Sequence, residues 1–191
     1  YGLDHSYILH LIETDPGRYV GTGVVPTVCD ASLPSPGSAM KSLARKGIRA
    51  FRVRGRSAQP QWGQRDQWLD SVGYHDMFET AAKENLALSF LCGVPDLPEI
   101  DRMCAVFPET PVILDHVGGV RVKEGAIPRE DLEALGRLAQ HKKVYLKLGP
   151  IHGLGSGIVP YEDVYDLLKQ AIGLFGPERC MWESDCGGPI S

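Results

Sequence analysis

The sequence has 191 residues, 43% hydrophobic and 23% charged, a balance that argues against a disordered chain and for one globular domain over residues 1–191. A net charge of −4 without any basic stripe argues against a nucleic-acid partner. No run of about 18 apolar residues is present, which argues against a membrane-spanning helix.

In chain order the pattern alternates between helix and strand. The first residues carry neither a basic leader nor a small-residue cleavage site, so no signal peptide is expected. Residues 7–12 read as the end of an amphipathic helix stopped by Asp15-Pro16-Gly17, and residues 18–25 as a strand closed by Pro26. Residues 38–46 place Met40, Leu43 and Ala44 on one helical face, with Gly47 as the stop. Strand 48–54 (IRAFRVR) follows, then helix 76–85, strand 86–92 and a helix opened by Asp96-Leu97-Pro98-Glu99. The second half continues with a β-rich run at 111–117, a helix at 129–141, a strand at 144–148, a helix at 161–175 and a strand at 179–184.

Six strands separated by helical segments, in units long enough for βαβ crossovers, imply a parallel sheet buried on both faces. An open doubly wound sheet and part of a (β/α)8 barrel both fit. The doubly wound alternative predicts a glycine-rich turn after the first strand. The glycine-rich turn here, Gly153 to Gly157, comes late and no Lys-Ser/Thr follows it, so it reads as a loop. The barrel predicts polar side chains at the C-terminal ends of several strands. Arg52, Arg54, Cys92, Asp115, His116, Lys147, Glu183 and Asp185 occupy such positions. Cys29, Cys92, Cys104, Cys180 and Cys186 are odd in number and unclustered, which reads as reduced thiols and a cytoplasmic setting.

Two clusters carry the chemistry. Leu114-Asp115-His116-Val117-Gly118-Gly119 ends an apolar strand in two polar side chains that need partners if buried. Met181 to Pro189 ends another in Glu183-Ser184-Asp185, and a carboxylate there can act as a general base or a metal ligand. By strand alternation Arg49 and Arg52 fall on opposite faces, and Arg54 shares the face of Arg52. Lys147 reads as a packing or salt-bridge residue.

A strand ending in Asp-His-x-Gly, followed by a later strand ending in Ser-Asp and a proline, resembles the amidohydrolase superfamily, in particular its amidohydrolase-related (amidohydrolase 2), lactonase-like branch. Asp15 to Tyr19, with the strand that follows, is similar to the family's third barrel strand. Gly47 to Arg52 is similar to its fourth, 111–119 to its sixth, 144–149 to its seventh and 181–189 to its eighth. The resemblance implies a metal-dependent-hydrolase type of (β/α)8 TIM barrel, incomplete here, with about six units corresponding to strands three to eight. A complete barrel takes about 250 residues. With Tyr1 in place of Met and a stop after Gly-Gly-Pro, the expectation is a fragment whose first two strands precede Tyr1.

The resemblance further implies a hydrolase in which Asp185 activates water and then protonates the leaving group. His116 polarises the scissile carbonyl or binds metal, and Arg49, Arg52 or Arg54 binds a substrate carboxylate. The substrate would be a small lactone, amide or carboxylated ring compound. A metal-dependent decarboxylase is the enzymatic alternative, and a catalytically inactive barrel fragment the other. His116 and Asp185 are the metal ligands if a metal such as zinc is bound in a full-length parent. The family's first-strand His-x-His is absent, since His5 and His10 lie five apart on a helix, and its fifth-strand His is replaced by the run Leu88-Ser89-Phe90-Leu91-Cys92. The expectation for this chain is therefore weak metal binding or none, and no certain cofactor. Exposed strand edges would permit self-association.

Overall fold

The computed structural model describes residues 2–27, 29, 32–58 and 66–186. Six parallel strands form one sheet in strictly sequential order: β1 (Gly21–Gly23), β2 (Ile48–Arg54), β3 (Ala87–Leu91), β4 (Val112–Leu114), β5 (Val144–Leu148) and β6 (Cys180–Trp182). Helix α1 (Ser6–Thr14) precedes β1, and α2 (Pro36–Ala44), α3 (Val72–Glu84), α4 (Leu97–Val106), α5 (Arg129–Ala139) and α6 (Tyr165–Phe175) fill the crossovers. Sequential parallel order with a helix in each crossover is the arrangement of a barrel wall. A doubly wound sheet would reverse direction at a switch point. The observed architecture is an incomplete (β/α)8 barrel.

The strands alternate in a way that separates core from site. Phe51, Val53, Leu88, Phe90, Val112, Leu114, Val144 and Leu146 point toward the helices and are buried. They meet Met77, Phe78, Ile100, Met103, Leu135, Leu138 and Leu167 from the helical layer. Burying a side chain of this size contributes about 1.5–3 kcal/mol. The opposite face carries Arg52, Ser89, Ile113, Tyr145, Lys147 and Met181. Arg52 pairs with Ser89, Ser89 with Ile113, Ile113 with Tyr145, and Lys147 with Met181.

Caps set several helix ends. Ser35 accepts from the Ser38 N–H at the start of α2, and Pro36 follows it without losing a needed donor. Ser71 does the same for the Tyr74 N–H, so α3 begins four residues before the expected position 76. Asn85 closes α3 in the left-handed conformation, with φ 50°. The strand expected over 18–25 contracts to Gly21–Gly23, because Tyr19 and Val20 are solvent-exposed and the register with β2 shifts after Gly21. The run expected over 111–117 keeps three strand residues, since the chain enters a turn at Asp115. The helix expected from 161 opens instead as a 3-10 turn over Glu162–Val164. Among the described residues no helix is long and apolar enough to cross a membrane, and all five cysteines are free thiols.

Candidate active site

The polar side chains converge at the C-terminal ends of β2 to β6. Asp115 directly follows β4 and is only 1% exposed. It lies two residues beyond Ile113 and so projects from the same inner face. Arg52 from β2 pairs with its Oδ2. Ser89 from β3 donates to Oδ1 at 3.0 Å, and Lys147 from β5 approaches Oδ1 at 2.9 Å. A buried carboxylate is tolerated when charge and hydrogen bonds saturate it, and here three neighbouring strands supply both. Lys147 also lies 3.7 Å from Glu183 Oε2, which links the pair to the end of β6.

His116 sits one residue further, where alternation would have sent it away from Asp115. The backbone turns instead. His116, Val117, Gly118 and Gly119 all have positive φ, at 56°, 53°, 65° and 81°. Glu183 holds this turn. Its Oε1 accepts from the His116 backbone N–H at 2.7 Å and lies 2.8 Å from the imidazole Nδ1, while the Gly149 carbonyl lies 3.2 Å from the same nitrogen. The Glu183 hydrogen bond is the main cause raising the His116 pKa above its usual value. Partial burial opposes it, and the charges of Glu183 and Asp185 act with it. Gly149 is required at its position, because a Cβ there would collide with the Glu183 backbone carbonyl and side chain.

Nε2 of His116 faces the other carboxylate, 4.0 Å from Asp185 Oδ1. Asp185 is about half exposed and itself has φ 53°. These groups line a cavity of about 660 Å³ with Arg52, Arg54, Leu91, Lys147 and Trp182. Arg49 does not join them. It lies near the start of β2, exposed, and donates to the Asn85 carbonyl at 3.2 Å. The cavity therefore brings together Asp185, His116, Arg52 and Arg54 from the residues expected, and leaves out Arg49. Lys147 forms the salt bridge expected of it. Glu183 stood out in the sequence only as one more carboxylate at a strand end, and Ser89 only as the residue replacing a histidine. Residues 59–63 with Trp62, and Gly187 to Pro189, lie outside the described residues.

A zinc site needs three or four ligands. His116 Nε2 and Asp185 can offer two. Both Asp115 oxygens are engaged by Arg52, Ser89 and Lys147, and Glu183 Oε1 by His116. The Cys92 thiol is pushed far up, chiefly by burial and then by the Asp96 and Asp115 carboxylates, so it is no thiolate ligand. Among the described residues no group of three or more His, Cys, Asp or Glu side chains is arranged to hold a metal ion. Among the described residues the donors do not fit zinc.

Residues 1–189 match the family model described as amidohydrolase. The chain belongs to the amidohydrolase family. Among curated relatives, 4-sulfomuconolactone hydrolase of Rhizobium radiobacter is 24% identical over 188 residues, covering 97% of this chain and 57% of the relative. A solved structure from Pseudomonas putida, assigned as a 2-pyrone-4,6-dicarboxylic acid hydrolase, superposes with a TM-score of 0.77 at 21% identity. That likeness covers 99% of this chain and 64% of the other. A zinc-bound amidohydrolase from Burkholderia multivorans gives 0.72 at 19% identity, over 95% of this chain and 63% of its own. The chain thus spans somewhat over half the length of these amidohydrolases, and the structural likeness extends to the barrel fold.

Proposed function

We propose that this protein is a hydrolase that opens a lactone ring bearing an acidic substituent, with Asp185 as the base that activates water. The observation that supports this most is the cavity at the strand C-termini, where Asp185 and His116 face each other across 4.0 Å beside Arg52 and Arg54. The relatives add chemical direction, since one is named for a sulfonated muconolactone and another for a pyrone dicarboxylic acid.

In this reading Asp185 takes a proton from water as the hydroxide oxygen attacks the ring carbonyl. His116 in its doubly protonated form, favoured by the Glu183 hydrogen bond that raises its pKa, hydrogen-bonds from Nε2–H to the carbonyl oxygen as negative charge develops there and keeps that proton when the carbonyl re-forms. The ring C–O bond then breaks, and Asp185 returns its proton to the departing oxygen. Arg52 and Arg54 hold the acidic substituent, and a guanidinium suits that task because its donors match carboxylate or sulfonate oxygens in pairs. Asp115 keeps Arg52 and Lys147 aimed into the cavity. The five free thiols accord with a cytoplasmic setting.

The test is ring opening by the purified protein, followed spectroscopically with 2-pyrone-4,6-dicarboxylate, 4-sulfomuconolactone and an uncharged lactone. Turnover of an acidic lactone, with the uncharged one at least about 100-fold slower from loss of a buried charge partner, is expected. Equal turnover of all three would remove the arginines from recognition, and no turnover of any would remove the lactonase reading.

A further inference from the structure

We propose that Glu183 is a positioning residue for His116, locking the imidazole with its Nδ1–H turned into the protein and Nε2 turned into the cavity beside Asp185. This rests on the reading of His116 as the group that polarises the carbonyl. The geometry supplies three independent constraints. First, both groups within reach of Nδ1 are acceptors, Glu183 Oε1 at 2.8 Å and the Gly149 carbonyl at 3.2 Å. A carbonyl oxygen cannot donate, so a proton resides on Nδ1 and the nitrogen presented to the cavity is Nε2. Second, the same Glu183 oxygen accepts the His116 backbone N–H at 2.7 Å. One carboxylate thereby fixes both the ring and the left-handed backbone that carries it. Third, the other Glu183 oxygen lies 3.7 Å from Lys147, which orients the carboxylate.

Glu183 lines the same cavity, but its oxygens are engaged by His116 and Lys147. Its effect passes through His116. The sequence positions explain why the contact needs the fold: 67 residues separate the pair, and the register of β4, β5 and β6 brings them together. Gly149, at the end of β5, leaves the room through which Glu183 reaches His116.

The experiment is proton NMR of the histidine-15N-labelled protein, with His116 assigned by the loss of its signal in His116→Gln. A slowly exchanging downfield Nδ1–H resonance is expected in the unmodified protein. It should persist in Glu183→Gln, whose side-chain oxygen still accepts, and vanish in Glu183→Ala. Absence of that resonance in the unmodified protein overturns the proposal without recourse to any variant, and so does an unchanged resonance in Glu183→Ala. In the acidic-lactone assay Glu183→Ala should lose about 10–100-fold, carried by kcat rather than KM, with partial recovery in Glu183→Gln. If no lactone is opened, the hydrolase reading fails while the NMR arm still decides the role of Glu183.

Discussion

At the scale of single residues, the site is organised by two carboxylates with opposite tasks. Asp115 is saturated by Arg52, Ser89 and Lys147 and is buried, so it is structural anchorage for cations. Asp185 is half exposed and lines the cavity, the setting of the base proposed for it. Replacing Asp115 with Ala removes the carboxylate that Arg52 and Lys147 share and leaves Lys147 only its longer contact to Glu183. A loss of about 3 kcal/mol is expected, toward the low end for a buried pair because both cations keep some water. Urea unfolding of the variant measures it. The His116–Glu183 pair adds a pH signature. Its folded-state pKa lies above the usual value near 6.5, so the stability it contributes is full below about 6.5 and fades as pH rises through the raised folded value. Unfolding midpoints across that interval should fall with pH in the unmodified protein and be flatter in Glu183→Gln; an identical slope in both would assign the effect to other groups.

These two pairs differ in how far the sequence revealed them. Asp115, His116 and Asp185 sit in short runs beside glycines, where strand-end chemistry is recognisable. Glu183 sits two residues before Asp185 and gave no comparable signal, because its partner is on another strand. Alternation alone would send His116 away from Asp115, because it assumes extended backbone through 115–117, whereas the chain turns left-handed at His116. Arg49 and Arg52 did separate as alternation requires, with Arg49 at the Asn85 carbonyl and Arg52 on Asp115.

At the scale of elements, sequence boundaries held where capping and burial agreed. β2 runs over the expected residues 48–54, because Phe51 and Val53 on its helix-facing side are apolar and buried and its neighbours on both sides supply partners. The first strand shortened because hydrophobic character at Tyr19 and Val20 does not ensure pairing, and Val20 remains 73% exposed. Ser71 caps α3 and sets its start four residues ahead of the expected position. Ser71→Ala should cost about 1 kcal/mol through loss of the Tyr74 N–H partner, measured by thermal or urea unfolding. Arg179 ties α5, α6 and β5 together at the opposite end of the sheet from the site. It donates to the carbonyls of Ala139, His141, Val144 and Phe175. Arg179→Ala leaves carbonyls without that donor and should destabilise by about 1–3 kcal/mol while sparing the distant cavity.

At the scale of the whole molecule, the sequential parallel order is what makes the site. Adjacent strands deliver Arg52, Ser89, Asp115, Lys147 and Glu183 in register along one rim, with a helix behind each crossover holding the strand in place. The same periodicity makes the six β/α units legible in the sequence, whereas the contacts across the rim depend on register that periodicity does not specify. Core and rim are therefore separable in mutagenesis. Asp185 is proposed as the base for lactone opening, and the most direct measurement is kcat for an acidic lactone in Asp185→Asn against the unmodified protein. Loss of about 100-fold to 10,000-fold with the fold intact by circular dichroism is the result predicted. Retention of kcat within a few-fold would contradict it.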